Sequence, residues 1–126
     1  FDSNNNPKVI VGRLKPKYQN SINNAITFLN HSIDIEYDDE FLMNNNKYYC
    51  SELIYEAFRN DSIFTLQQMT FLNPGTQDTL ETWKNYYSEI GVKIPQNKLG
   101  INPGIMSLSE KIDIIHIYGI PEGMSK

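Results

Sequence analysis

Two β-branched runs stand at opposite ends of this chain, with three helical stripes between them. Lys8 to Leu14 (KVIVGRL) and Ile112 to Gly119 (IDIIHIYG) carry Val and Ile at strand density. Gly12, inside the first run, marks a bulge or a close approach, and Pro16 ends the strand. Ser21 to His31 places Ile22, Ala25, Ile26 and Leu29 on one helical face. From Cys50 to Arg59, apolar residues return at Leu53, Ile54, Ala57 and Phe58, again with helical spacing. A third helix, capped by Asp78 or Thr79, runs to about Glu89. It turns Leu80, Trp83, Tyr87 and Ile90 inward and ends at Gly91. Phe64 to Phe71 fits either a short strand or an irregular segment, and 91–111, with Pro95, Gly100, Pro103 and Gly104, reads as a long structured loop. This order predicts one α+β or mixed α/β domain over 1–126, in which 1–7 is a frayed end or linker.

Composition narrows the function. A net charge of −4 without a basic cluster argues against a nucleic-acid partner. No apolar run approaches the roughly 20 residues of a membrane span, so an integral membrane protein is not expected. The single cysteine excludes an intrachain disulfide, and no Cys/His cluster has zinc-ligand spacing. The acids Asp34, Glu36, Asp38, Asp39 and Glu40 lack the central Gly and terminal Glu of a calcium loop and read as a solvated connection. No metal or cofactor is expected.

The chemistry concentrates at Cys50. In the first turn of a helix, its thiol meets the positive end of the helix dipole and unpaired backbone N–H groups, both of which favour a thiolate nucleophile. The competing reading is a buried, inert cysteine that fills space. A nucleophilic cysteine needs an imidazole, and the chain has two. His31, at the end of the first helix, reads as a residue interacting with the helix C-terminus. His116, on an apolar strand, reads as a satisfied core residue.

The segment Tyr48-Tyr49-Cys50-Ser51-Glu52-Leu53-Ile54 resembles the cysteine motif of the permuted papain-like hydrolases of the YiiX/YebB type, within the NlpC/P60 superfamily. Arg13-Leu14, Glu36 to Phe41, Met69-Thr70-Phe71, Ile94-Pro95, Gly100 to Gly104 and Met106 to Ser109 agree in order and spacing, so that the resemblance runs from about Val9 to Gly119. It implies a papain-like core in which the cysteine helix packs on a small antiparallel sheet. It also implies a cysteine peptidase or amidase acting on cell-wall peptides or lipid-linked amides, in a bacterial, exported or periplasmic setting. In that family the histidine lies upstream of the cysteine, on an "HVGI"-like strand, and nothing in 1–49 matches it. With Phe1 at its start, the chain is therefore expected to be a C-terminal portion, its histidine supplied by an N-terminal part or by another chain.

On this reading Cys50 attacks an acyl carbonyl to form a thioester, and its backbone N–H holds the oxyanion. Tyr49 is a candidate second donor through its hydroxyl, a core aromatic being the equal alternative. Glu52 has a supporting place in the first helical turn, where a carboxylate suits the dipole and acts as a cap. Tyr37 and Asp38 fall in the resembling segment without an assigned role, and Asp38 reads equally well as a turn residue. Tyr86 is expected at the surface, lining a groove. Two other functions stand beside the hydrolase: an inactive papain-like module that binds a lipid or peptide, and a structural or redox thiol. A redox cycle within the chain is excluded for want of a resolving cysteine.

Overall fold

The computed structural model describes residues 1–121. Four helices and two small antiparallel sheets make an α+β arrangement. The two terminal runs pair with each other: β1 (Ile10–Leu14) lies antiparallel to β4 (Ile112–Ile117). Their register shifts between Val11 and Gly12, so a bulge does sit beside Gly12. A side chain there would meet Ile112 Cδ1 at 3.1 Å, which accounts for glycine at this crossing.

The helix α1 (Ser21–His31) has the bounds its stripe predicts, and it packs on α2 (Cys50–Ala57). The cysteine helix is thus seated chiefly on another helix, where a sheet was expected beneath it. A 3₁₀ turn, Arg59–Asp61, follows α2 and stops at Ser62, whose φ of 50° turns the chain.

Two expectations are corrected by local hydrogen bonds. The third helix, α3 (Glu81–Ile90), starts after Leu80 and not at Asp78 or Thr79. Thr79 is engaged in a bridge to Leu72 and Leu80 N–H donates to Phe71 O at 2.8 Å, so the chain stays extended through both. The expected loop 91–111 holds β3 (Leu99–Gly100), paired with β2 (Gln67–Gln68), and the short helix α4 (Pro103–Ser107). Asn102 caps α4, its side chain accepting the Ile105 N–H at 2.8 Å, and Pro103 supplies a first residue that needs no donor.

Aromatic rings fill the core. Phe71 meets Trp83 with centroids 5.2 Å apart, and Phe41 meets Tyr49 at 5.4 Å, both edge to face. Such pairs each add about 0.5–1.5 kcal/mol beyond their buried area. Tyr86 belongs to this cluster, stacked near Phe41 and Trp83, and its hydroxyl donates to Asp39 O at 2.8 Å. It ties α3 to the acidic connection. The buried Tyr87 does the same through Glu40 O at 3.1 Å.

Candidate active site

Cys50 is the first residue of α2 and its side chain is exposed. An inert core cysteine would be buried, so its exposure favours a reactive thiol over a space-filling one. Its sulfur lies 3.8 Å from Ser51 Oγ. The first main-chain hydrogen bond of the helix runs from Leu53 N–H to Tyr49 O at 2.9 Å. The N–H groups of Cys50, Ser51 and Glu52 precede it and have no backbone acceptor among the described residues. An exposed sulfur beside unpaired N–H donors is the arrangement that an acyl-transfer oxyanion requires.

The segment before α2 brings a second group to this spot. Tyr37 forms a parallel bridge with Tyr48; Asp38 N–H donates to Tyr48 O at 3.1 Å and Tyr48 N–H to Glu36 O at 3.3 Å. That bridge sets Tyr37 beside Cys50. Burial of its hydroxyl end raises the phenol pKa first, the nearby Cys50 charge raises it further, and the Cys50 backbone N–H pulls it back. The phenol therefore interacts electrostatically with Cys50, while 52% of the residue stays open to solvent.

Asp38 anchors the bridge from below. It is 1% exposed, and its two carboxylate oxygens accept the N–H groups of Glu40 at 2.9 Å and Leu42 at 2.7 Å. The turn reading of Asp38 holds, and the turn it ties is the one that presents Tyr37.

Tyr49 points the other way. It is 3% exposed, its hydroxyl accepts the Ile101 N–H at 3.0 Å and meets the Met43 sulfur at 3.5 Å, and burial pushes its pKa up to about 12. Its oxygen satisfies a core amide. Tyr37 is the tyrosine whose phenol interacts with the Cys50 backbone N–H.

Glu52 is the third residue of α2 and 1% exposed. Burial lifts its carboxyl from 4.5 to about 7; the backbone of Tyr49 and Asn44 opposes the shift, and the charges of Asp38 and Glu56 add to it. The pull from the Tyr49 backbone, at the residue preceding the helix, matches one half of a capping box. Oε2 is buried with no hydrogen-bond partner among the described residues. No hydrogen bond links this carboxyl to the Cys50 sulfur among the described residues.

Neither histidine joins the site among the described residues. His31 Nδ1 lies 2.7 Å from Thr27 O, which keeps it at the end of its own helix, as the sequence suggests. His116 is exposed, not a core residue, and its ring packs edge-on against Tyr118 with centroids 4.3 Å apart. The described residues contain no cluster of His, Cys, Asp and Glu able to hold a metal ion. No helix among them is long and apolar enough to cross a membrane.

Residues 3–115 match the family model of the permuted papain-like amidase enzymes, YaeF/YiiX, C92 family. No curated protein and no solved structure matches the chain significantly.

Proposed function

Because the chain belongs to the family of permuted papain-like amidases, we propose that it is a cysteine hydrolase in which Cys50 carries the acyl group as a thioester. The observation that carries this is the exposed Cys50 at the first residue of α2, its N–H without a backbone acceptor among the described residues and Tyr37 brought near it by the bridge to Tyr48. The sulfur attacks the carbonyl carbon, and the C–S bond forms as the carbonyl oxygen takes the negative charge. Cys50 N–H and Tyr37 O–H donate to that oxygen. The C–N bond then breaks, the amine leaves with a proton, and water hydrolyses the thioester.

The proton relay needs an imidazole, and neither His31 nor His116 makes contact with Cys50. We assign the base to a histidine supplied by another polypeptide segment, in cis or in trans. The β1–β4 ribbon is where such a segment would add. Each strand pairs on one side only, and Ile114, Ile115 and Ile117 are 42%, 45% and 47% exposed. Open edges with exposed apolar residues call for a covering partner.

The substrate is an amide in a peptide or a lipid. The missing base contact favours a second reading, a papain-like module that holds such a ligand without turnover.

Incubation with N-acyl amino acid amides and with short peptides, each with added imidazole in place of the histidine, tests the hydrolase. Release of product by the wild-type chain and not by Cys50→Ala is expected. Product formation unchanged in Cys50→Ala would overturn it. Equal ligand affinity of both chains with no product would establish the binding module instead.

A further inference from the structure

Away from Cys50, three lysines and a tyrosine line one cavity. The turn Pro16–Tyr18, the stretch from Ser62 to Thr65 and the stretch from Leu108 to Lys111 enclose a cavity of about 680 Å³. Lys15, Lys17 and Lys111 line it, with Glu110 as the one acid on its wall, in a chain whose net charge is −4. Lys17 Nζ lies 4.8 Å and Lys111 Nζ 5.1 Å from the centre of the Tyr18 ring. Two ammonium groups thus lie at one ring, which attracts each of them but supplies no full negative charge.

Their partners do not neutralise them. Lys17 has no carboxylate partner among the described residues, and Lys111 Nζ donates to a neutral acceptor, Asp61 O, at 2.9 Å. Lys15 reaches Asp113 only at 3.9 Å, a pair open to solvent on both sides. Glu110 forms no ion pair with any of the three among the described residues. Neutral donors stand beside the cations: the hydroxyls of Tyr18, Ser62 and Thr65 line the cavity and make no hydrogen bond among the described residues.

The frame around these groups is tied together. Lys15 N–H donates to Lys111 O at 3.0 Å, and Ser109 both donates to Ile63 O at 2.5 Å and accepts the Lys111 N–H at 3.2 Å. Donors held this way lose little freedom when a ligand arrives.

We propose that this cavity binds a phosphoryl group. A phosphate offers several acceptor oxygens and up to two negative charges, enough to draw on more than one of the cavity's three ammonium groups and on a hydroxyl as well. A single carboxylate would leave one of the gathered ammonium groups without a counter-charge. The same chemistry is offered by a free phosphate ester and by an anionic phospholipid headgroup. This site is independent of the thioester reading.

Calorimetric titration with inorganic phosphate, and flotation with phosphatidylglycerol vesicles against phosphatidylcholine vesicles, separate those sources. Lys17→Gln and Lys111→Gln are each compared with Lys84→Gln, which lies outside the cavity. Saturable phosphate binding at one site, weakened about tenfold or more by either cavity variant and unchanged in Lys84→Gln, is expected. Vesicle binding lost in the same two variants would place the phosphoryl group on a headgroup. Phosphate binding without vesicle binding would place it on a soluble ester. Lys17 is exposed, so its variant keeps the test valid if Lys111→Gln unfolds. No binding of either probe, or binding indifferent to both variants, would overturn the proposal.

Discussion

The Tyr37 phenol interacts with the backbone N–H of Cys50, although twelve residues separate the two in the chain. The bridge between Tyr37 and Tyr48 brings them near, because Tyr48 is two residues before the nucleophile. In the proposed mechanism, a phenol beside the nucleophile's own N–H donates to the oxyanion.

Tyr37→Phe removes that donor and keeps the ring. Loss of one oxyanion donor typically lowers turnover by about 10²–10³-fold. The expected result is a fall of about 100-fold in the rate of Cys50 acylation by p-nitrophenyl acetate, with an unchanged urea midpoint. An unchanged rate would remove Tyr37 from the site.

Tyr49→Phe should do the reverse. The hydroxyl it deletes accepts the buried Ile101 N–H, which would be left without a partner. An unsatisfied buried donor costs about 1–3 kcal/mol. The urea midpoint should fall, while the acylation rate of the folded fraction stays near that of the wild type.

Asp38→Ala should lose both properties. Its carboxylate accepts the Glu40 and Leu42 N–H groups and holds the turn that presents Tyr37. Stability should drop by about 2–4 kcal/mol as two buried donors lose a charged acceptor. Acylation should fall toward the Tyr37→Phe level, and the double variant should be no slower than Tyr37→Phe alone.

What was legible in the sequence was what local pattern encodes. The stripes at Ile22 to Leu29 and Cys50 to Phe58 placed α1 and the start of α2, and the two β-branched runs became β1 and β4. Asn102-Pro103 is a cap followed by a first-turn proline, a signal for α4 that the surrounding Gly and Pro residues masked. The start of α3 was not legible, because the bonds that delay it come from Leu72 and Phe71, seven to nine residues upstream. Tyr37 was missed for the same reason. Adjacency to Cys50 drew attention to Tyr49, but a residue preceding a helix turns its side chain where packing sends it, here to Ile101.

Glu52 makes stability depend on pH. Its carboxyl titrates near 4.5 when unfolded and at about 7 when folded. Between these values the unfolded chain has released the proton and the folded chain retains it. Stability should therefore fall as pH rises from about 4.5 to about 7, by at most about 3 kcal/mol from this group, and level off above. Urea melts of Glu52→Gln across that range should show a flatter profile and a relative gain at pH 8. A parallel profile would exclude Glu52 as the cause.

The most direct test is to trap the acyl group. The chain is incubated with p-nitrophenyl acetate, and its intact mass and peptide map are read before and after hydroxylamine, which cleaves thioesters. The account predicts one acetyl group per chain, on the peptide carrying Cys50, removed by hydroxylamine and absent from Cys50→Ala. Acetylation confined to lysines, or equal in the wild type and Cys50→Ala, would contradict it.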